Sequence, residues 1–295
     1  MPVTTTPTTP AQEQAGTFRL IRRPAKGRNA LDCWIALPHD ISADASPVVA
    51  IHGIQRGVRD QAALFAARAA ALGRPVIAPL FDEKGWPRYQ QVVRNKRADL
   101  ALLALLSELR LAGIWRTRSF ELAGYSGGAQ FAHRFAMLYP HLVSRLTVAA
   151  AGWYTFPDDA AFPYGLAPRP GRTDDWGPKL AAGLDRFLGL PIQVCVGAED
   201  NVVDPNTRSG PEIDRQQGAD RVTRAMRWAE ALRRAAAERG IAPNVTLSVL
   251  PDCGHDFETC VERGGLDRVV LPDAEAIVAA SFNPNLEEEA RPSAP

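Results

Sequence analysis

The sequence predicts an α/β fold: a doubly wound, mostly parallel sheet of about eight strands with helices on both faces and a minimal cap. Two observations predict it. Short apolar runs bounded by turn residues alternate with longer stretches of helical period. The later runs are rich in Val, Ile, Leu and Ala almost throughout, as parallel strands covered on both faces must be.

The strands are expected at Thr17–Arg22, Leu31–Leu37, Pro47–His52, Pro75–Leu80, Ser119–Ala123, Arg145–Ala150, Pro191–Gly197 and Asn244–Leu250. The first two lie close together and read as a hairpin. Helices are expected at Asp60–Leu72, Asn95–Ala112, Gly127–Tyr139, Pro178–Leu188, Ala219–Arg239 and Ala274–Phe282. Gly73, Pro140 and Gly240 follow three of them and supply stop signals. Residues 152–177 differ. They carry Pro, Gly and six aromatic residues without a period, and loops of such length tend to be functional. Residues 1–16 and 284–295 lack periodicity and read as flexible tails around one domain over 17–283. Within it, 152–190 forms a small cap of aromatic loop plus helix.

Composition limits the partners. With 295 residues, 46% of them hydrophobic and 23% charged, the chain resembles ordinary globular proteins and can bury a large core. A formal net charge of +1 gives no general attraction to nucleic acid or an anionic membrane. No apolar run approaches the roughly 18 residues of a membrane span. The start has neither the basic nor the apolar region of a secretory signal, so a cytoplasmic location is expected. Four cysteines do not make a disulfide framework. Cys33 and Cys195 sit in apolar runs as buried thiols. Cys253 and Cys260 flank His255 closely enough for a bridge, but free thiols are expected there too. Neither an H-E-x-x-H helix nor a phosphate-binding GxxxxGK[ST] loop is present, and no metal or cofactor is expected.

The sharpest signal is Gly124-Tyr125-Ser126-Gly127-Gly128, which fits G-x-S-x-G between an expected strand and an expected helix. Such a turn strains the serine backbone, and flanking glycines remove side chains that would collide. The helix directs its positive end at the serine, where an oxyanion forms. A serine hydroxyl needs a base, and the base needs an orienting group. His255, after a glycine just beyond the last expected strand, is the candidate base. His39, His133 and His141 read as surface or packing residues, and His52 as a residue that fixes its loop. Asp200, at the end of Pro191–Gly197, is the preferred acid, with Glu199 and Asp204 as competitors. Backbone N–H groups in the turn after Val48–Gly53, with that of Gly127, are suited to hold a developing alkoxide.

In the order His52-Gly53, Gly124-x-Ser126-x-Gly128, Gly197-x-x-Asp200 and Gly254-His255, the chain resembles the α/β-hydrolase superfamily over roughly residues 17–283. The resemblance implies a Ser126–Asp200–His255 triad and an oxyanion hole built from the N–H groups of Ile54 and Gly127. It implies a serine hydrolase, with carboxylic ester substrates expected first and an amide or peptide hydrolase as the alternative. A non-catalytic ligand-binding protein on the same fold is the alternative of another class. The short interval between the sixth and seventh strands implies a small cap and an open cleft for a small ester substrate. Trp153, Tyr154 and Phe156 are candidate substrate contacts on the aromatic loop, and Arg56 is one near the oxyanion turn. The segment Gln217-Gly218-x-x-Arg221-x-x-Arg224 resembles a stretch in some bacterial hydrolases of this type.

Overall fold

The computed structural model describes residues 17–27, 29–93, 96–169, 171, 176–205 and 207–273. The expected tails and the helix expected at Ala274–Phe282 lie outside the described residues.

All eight expected strands form: β1 (Phe18–Arg23), β2 (Asp32–Pro38), β3 (Val48–Ile51), β4 (Val76–Leu80), β5 (Phe120–Tyr125), β6 (Val143–Ala149), β7 (Ile192–Gly197) and β8 (Val245–Leu250). They make one sheet in the order β1-β2-β4-β3-β5-β6-β7-β8. The β1–β2 hairpin and the β2–β4 pair are antiparallel, and the pairs from β4 through β3 to β8 are parallel.

Alternate residues of each strand face opposite ways, and here both faces are apolar. On one face Val49, Ile51, Leu122, Leu146, Val148 and Val194 join one buried core. It also takes in residues of α2 (Ala98–Leu111), α3 (Gly127–Leu138) and α7 (Arg221–Ala237). On the other face Val48, Ala50, Val76, Ala123 and Cys195 join a second core. That one includes residues of α1 (Val58–Ala71), α8 (Phe257–Glu262) and α9 (Leu266–Val270). The helix expected at Pro178–Leu188 is two short pieces, α4 (Trp176–Ala181) and α5 (Leu184–Leu188), interrupted at Ala182–Gly183. Glycine weakens a helix interior by about 1 kcal/mol. The short helices α6 (Pro211–Gln217), α8 and α9 were not expected. Asp256 caps α8 by accepting the Thr259 N–H at 2.8 Å.

Strand order positions the site. From β3 the chain moves outward to β4, then crosses back to β5 on the opposite side of β3. In open α/β sheets ligands bind at such a switch, beyond the carboxyl ends of the strands. The turns after β3 and β5 therefore adjoin there. No helix of the described residues is long and apolar enough to cross a membrane.

Candidate active site

Ser126 occupies the strand-to-helix turn between β5 and α3 with φ 52° and ψ −115°, a strained conformation for a residue with a side chain. The turn is tight because α3 starts against neighbouring backbone. A Cβ on Gly124 would lie 2.3 Å from the Gly128 carbonyl oxygen, and one on Gly128 would lie 2.1 Å from that of Ile51. Only glycine permits either approach.

Three side chains from separate loops meet at this turn. The Ser126 hydroxyl lies 3.0 Å from Nε2 of His255, and His255 Nδ1 lies 2.7 Å from Oδ2 of Asp200. With the ring proton on Nδ1, the serine donates to the imidazole and the imidazole donates to the carboxylate. Asp200 follows β7 and His255 follows β8, and the two loops are stitched together. The Ala198 N–H donates to the Leu250 carbonyl at 2.8 Å, and the Glu199 N–H to that of Cys253 at 2.9 Å. The Tyr125 ring stacks on His255 with centroids 5.4 Å apart. Asp200 is 2% exposed, so its charge faces partners rather than solvent. Asp204, the competing acid, instead pairs with Arg221 at 3.0 Å.

The turn after β3 carries the other half of the site. A Cβ on Gly127 would lie 3.6 Å from the Ile54 amide nitrogen, so the two backbone groups border one space. Several residues hold this turn rigid. The neutral His52 ring donates from Nδ1 to the Gly53 carbonyl at 2.6 Å and accepts the Phe81 N–H on Nε2 at 3.0 Å. Burial pushes His52 down to about 4, so it stays neutral at ordinary pH. The Tyr89 hydroxyl donates to the His52 carbonyl at 2.5 Å. Arg56 lines the cleft, but its guanidinium is engaged. Nε donates to the Phe81 carbonyl at 2.9 Å and Nη1 to the Ile54 carbonyl at 2.7 Å.

A cleft of about 1140 Å³ opens over these groups, bordered by Ser126, Gly127, His255, Ile54, Gln130 and Trp153. Of the three candidate aromatic contacts, Trp153 alone borders it. Tyr154 and Phe156 are buried in the core, which corrects the expectation that they line the cleft. Tyr154 stacks on Trp228 with centroids 4.6 Å apart, and the Trp228 indole donates to the Thr155 carbonyl at 3.0 Å. This stretch turns inward because α7 offers it a large apolar face. His133 packs in the same place, donating to the Ala129 carbonyl and accepting the Thr155 N–H. His39 and His141 are exposed.

Sequence reasoning missed Gln90 and Gln130, which border the cleft, and did not connect Arg221 to the acid. The available signal was Gln217-Gly218-x-x-Arg221-x-x-Arg224, whose arginines share one helix face at three-residue spacing.

No protein-family model matches the chain, and no curated protein matches it. Solved structures do. The LpqC poly(3-hydroxybutyrate) depolymerase from Bordetella parapertussis superposes with a TM-score of 0.71 at 28% identity, over 92% of this chain and 96% of that one. Poly(aspartic acid) hydrolase-1 from Sphingomonas sp. KT-1 superposes with a TM-score of 0.72 at 24% identity, over 86% and 98%. FphF, a fluorophosphonate-binding serine hydrolase of Staphylococcus aureus, shares the fold with a TM-score of 0.57 at 11% identity, over 86% and 98%. The chain belongs to the α/β-hydrolase superfamily. Within it, the chain is a hydrolase.

Proposed function

We propose that the chain hydrolyses carboxylic esters through an acyl-enzyme on Ser126, with His255 as the base and Asp200 as the acid that orients it. The observation that carries this reading is the continuous relay, 3.0 Å from hydroxyl to imidazole and 2.7 Å from imidazole to carboxylate. His255 takes the Ser126 proton as the oxygen attacks the ester carbonyl, then returns it to the departing alcohol. Asp200 keeps the reactive nitrogen unprotonated and stabilises the imidazolium. The N–H groups of Ile54 and Gly127 receive the oxyanion, and each such donor is worth about 2.7–4 kcal/mol in the barrier. Water activated by His255 then releases the acid.

An ester preference is supported by the 28% identical structure, which is named for its action on a polyester. The open cleft beside Trp153 suits a small or oligomeric ester. The same reading takes the chain as cytoplasmic, since its four free cysteines suit a reducing compartment. The test is a matched pair of p-nitrophenyl butyrate and butyryl p-nitroanilide, with fluorophosphonate labelling of wild type and Ser126→Ala. Ester turnover well above anilide turnover, with labelling lost in Ser126→Ala, is expected. Equal turnover of both would overturn the ester preference, and unlabelled wild type would overturn the acyl-enzyme.

A further inference from the structure

We propose that Arg221 is a positioning residue of the relay: it holds Asp200 in its working orientation and sets how strongly that carboxylate stabilises the His255 imidazolium. The inference rests on the acyl-enzyme reading above and adds a fourth residue to it.

The two oxygens of Asp200 have different partners. Oδ2 faces His255 at 2.7 Å, and Oδ1 accepts from Nη1 of Arg221 at 3.2 Å. Arg221 is the one side-chain donor found on Oδ1 among the described residues. Its Nη2 turns to Asp204, at 3.0 Å from Oδ2 and 3.2 Å from Oδ1. One guanidinium therefore serves two carboxylates, one of which belongs to the relay. Arg221 is 2% exposed yet borders the cleft. A buried cation loses its hydration, and only well-formed pairing offsets that cost.

Its position in the chain argues for a local task. Arg221 is the first residue of α7, directly after the cap Asp220, which accepts the Thr223 N–H at 2.8 Å. A cation in the first turn of a helix opposes the helix dipole. Neither helix propensity nor packing calls for an arginine there, whereas Asp200 and Asp204 do. Carboxylate geometry supplies the mechanism. With both oxygens held, the plane of Asp200 cannot rotate away from Nδ1 of His255. The positive charge behind it also offsets part of the attraction that would otherwise keep the imidazole protonated.

Other groups around the relay vary this balance without replacing it. Tyr125, Tyr154 and Cys260 lie near Asp200, Asp256 lies near His255, and Arg224 follows Arg221 one turn along α7. Among these, only Arg224 is a cation. It is spent on the Gly152, Gly218 and Arg208 carbonyls and on Asp214.

The test compares wild type with Arg221→Gln, Arg221→Lys and Asp204→Asn in p-nitrophenyl butyrate hydrolysis from pH 5 to 9, after titrating active sites with a fluorophosphonate. Arg221→Gln is expected to lose about 10- to 100-fold in kcat with little change in KM. That is less than the about 10⁴-fold that loss of the orienting acid costs in serine proteases. The acid limb of its kcat/KM profile should move up by about one pH unit, because Asp200 then holds the imidazolium unopposed. Arg221→Lys should return the limb close to wild type, with kcat only partly recovered, since an ammonium lacks the planar fork. Asp204→Asn should move the limb the other way. Wild-type kcat and limb in a folded Arg221→Gln would overturn the proposal, and so would a lowered kcat with the limb unmoved. If Arg221→Gln does not fold, Asp204→Asn decides: an unmoved limb overturns it. Wild type that fails to label would show that the acyl-enzyme reading itself is wrong, and this proposal would fall with it.

Discussion

The contact between α3 and β3 gives the most direct test of how this fold builds its site, through Gly128→Ala. The new Cβ would lie 2.1 Å from the Ile51 carbonyl oxygen and 2.5 Å from that of His52. Ordinary carbon–oxygen contacts start near 3.3 Å, so about 1.2 Å must be found. Both obstacles are backbone of β3 and its turn, and no flexible side-chain end can yield. The start of α3 has to retreat from β3, and it carries the Gly127 N–H away from that of Ile54. A misplacement of about 1 Å at a reacting centre costs about 10²-fold in rate. Overpacking of this kind costs about 1–3 kcal/mol of stability. For a domain of this size each kcal/mol lowers Tm by about 2–4 °C. Gly127→Ala is the control. Its Cβ would meet the exposed Ile54 Cγ2 at 3.0 Å, which can shift, and the fixed Tyr89 hydroxyl only at 3.1 Å, so a few tenths of an ångström suffice. Ester hydrolysis and thermal melts of both variants should show Gly128→Ala falling about 10²-fold in kcat at nearly constant KM, with the larger loss of Tm. Wild-type kcat and Tm in Gly128→Ala would refute the close-approach argument.

Two further predictions follow from burial. His52 is pushed down to about 4 by desolvation, against about 6.5 in the unfolded chain, so between these values unfolding takes up a proton. Stability present above pH 6.5 should fall by about 3 kcal/mol as pH drops toward 4, and His133, held well below its usual value by complete burial, acts in the same direction. Urea midpoints at pH 7 and 4.5 check this, and equal midpoints would contradict it. The four cysteines are free and buried, with Cys33, Cys195 and Cys260 each pushed up to about 12 chiefly by burial. Ellman's reagent should therefore find almost no reactive thiol in native protein and four in denaturant. Only two in denaturant before reduction would reveal a bridge between Cys253 and Cys260.

The sheet was legible because parallel strands buried on both faces write nearly continuous apolar runs, as Val48–Ile51 and Val76–Leu80 do, whereas Val245–Leu250 at the sheet edge carries Thr246 and Ser248 and is buried only at its two ends. The meeting of Ser126, Asp200 and His255 was legible for a related reason. Parallel strands bring their carboxyl ends to one edge, so residues just past β5, β7 and β8 share a neighbourhood whatever their separation in sequence. What separates Asp200 from Asp204 is four residues of irregular turn, and no periodicity says which carboxylate faces the imidazole. The one-turn helices α6, α8 and α9 escaped notice because five to seven residues are too few to display a 3.6-residue period. The aromatic loop was misread by the same limit. Its composition announced burial somewhere, but an irregular backbone has no face from which to tell cleft from core.

Much of the site's rigidity comes from residues outside the relay. Gln217 locks Tyr154 by accepting its N–H and donating to its carbonyl, both at 2.9 Å, and Arg224 reaches the Gly152 carbonyl at 2.5 Å. These contacts fasten the segment that carries Trp153 to the end of α6 and the first turns of α7. The same first turn of α7 carries Arg221 and, through it, Asp200. The cleft wall and the orienting acid are thus tied to one piece of backbone, whose entry is set by the Asp220 cap. A shift of that backbone moves both. Displacement of this backbone, as by removal of the Asp220 cap, should therefore change substrate fit and the chemical step together, whereas loss of the Arg221 side chain reaches the acid alone. The eight residues from Gln217 to Arg224 couple recognition to catalysis because one helix start, capped by Asp220, holds both the segment that carries Trp153 and the loop that carries Asp200.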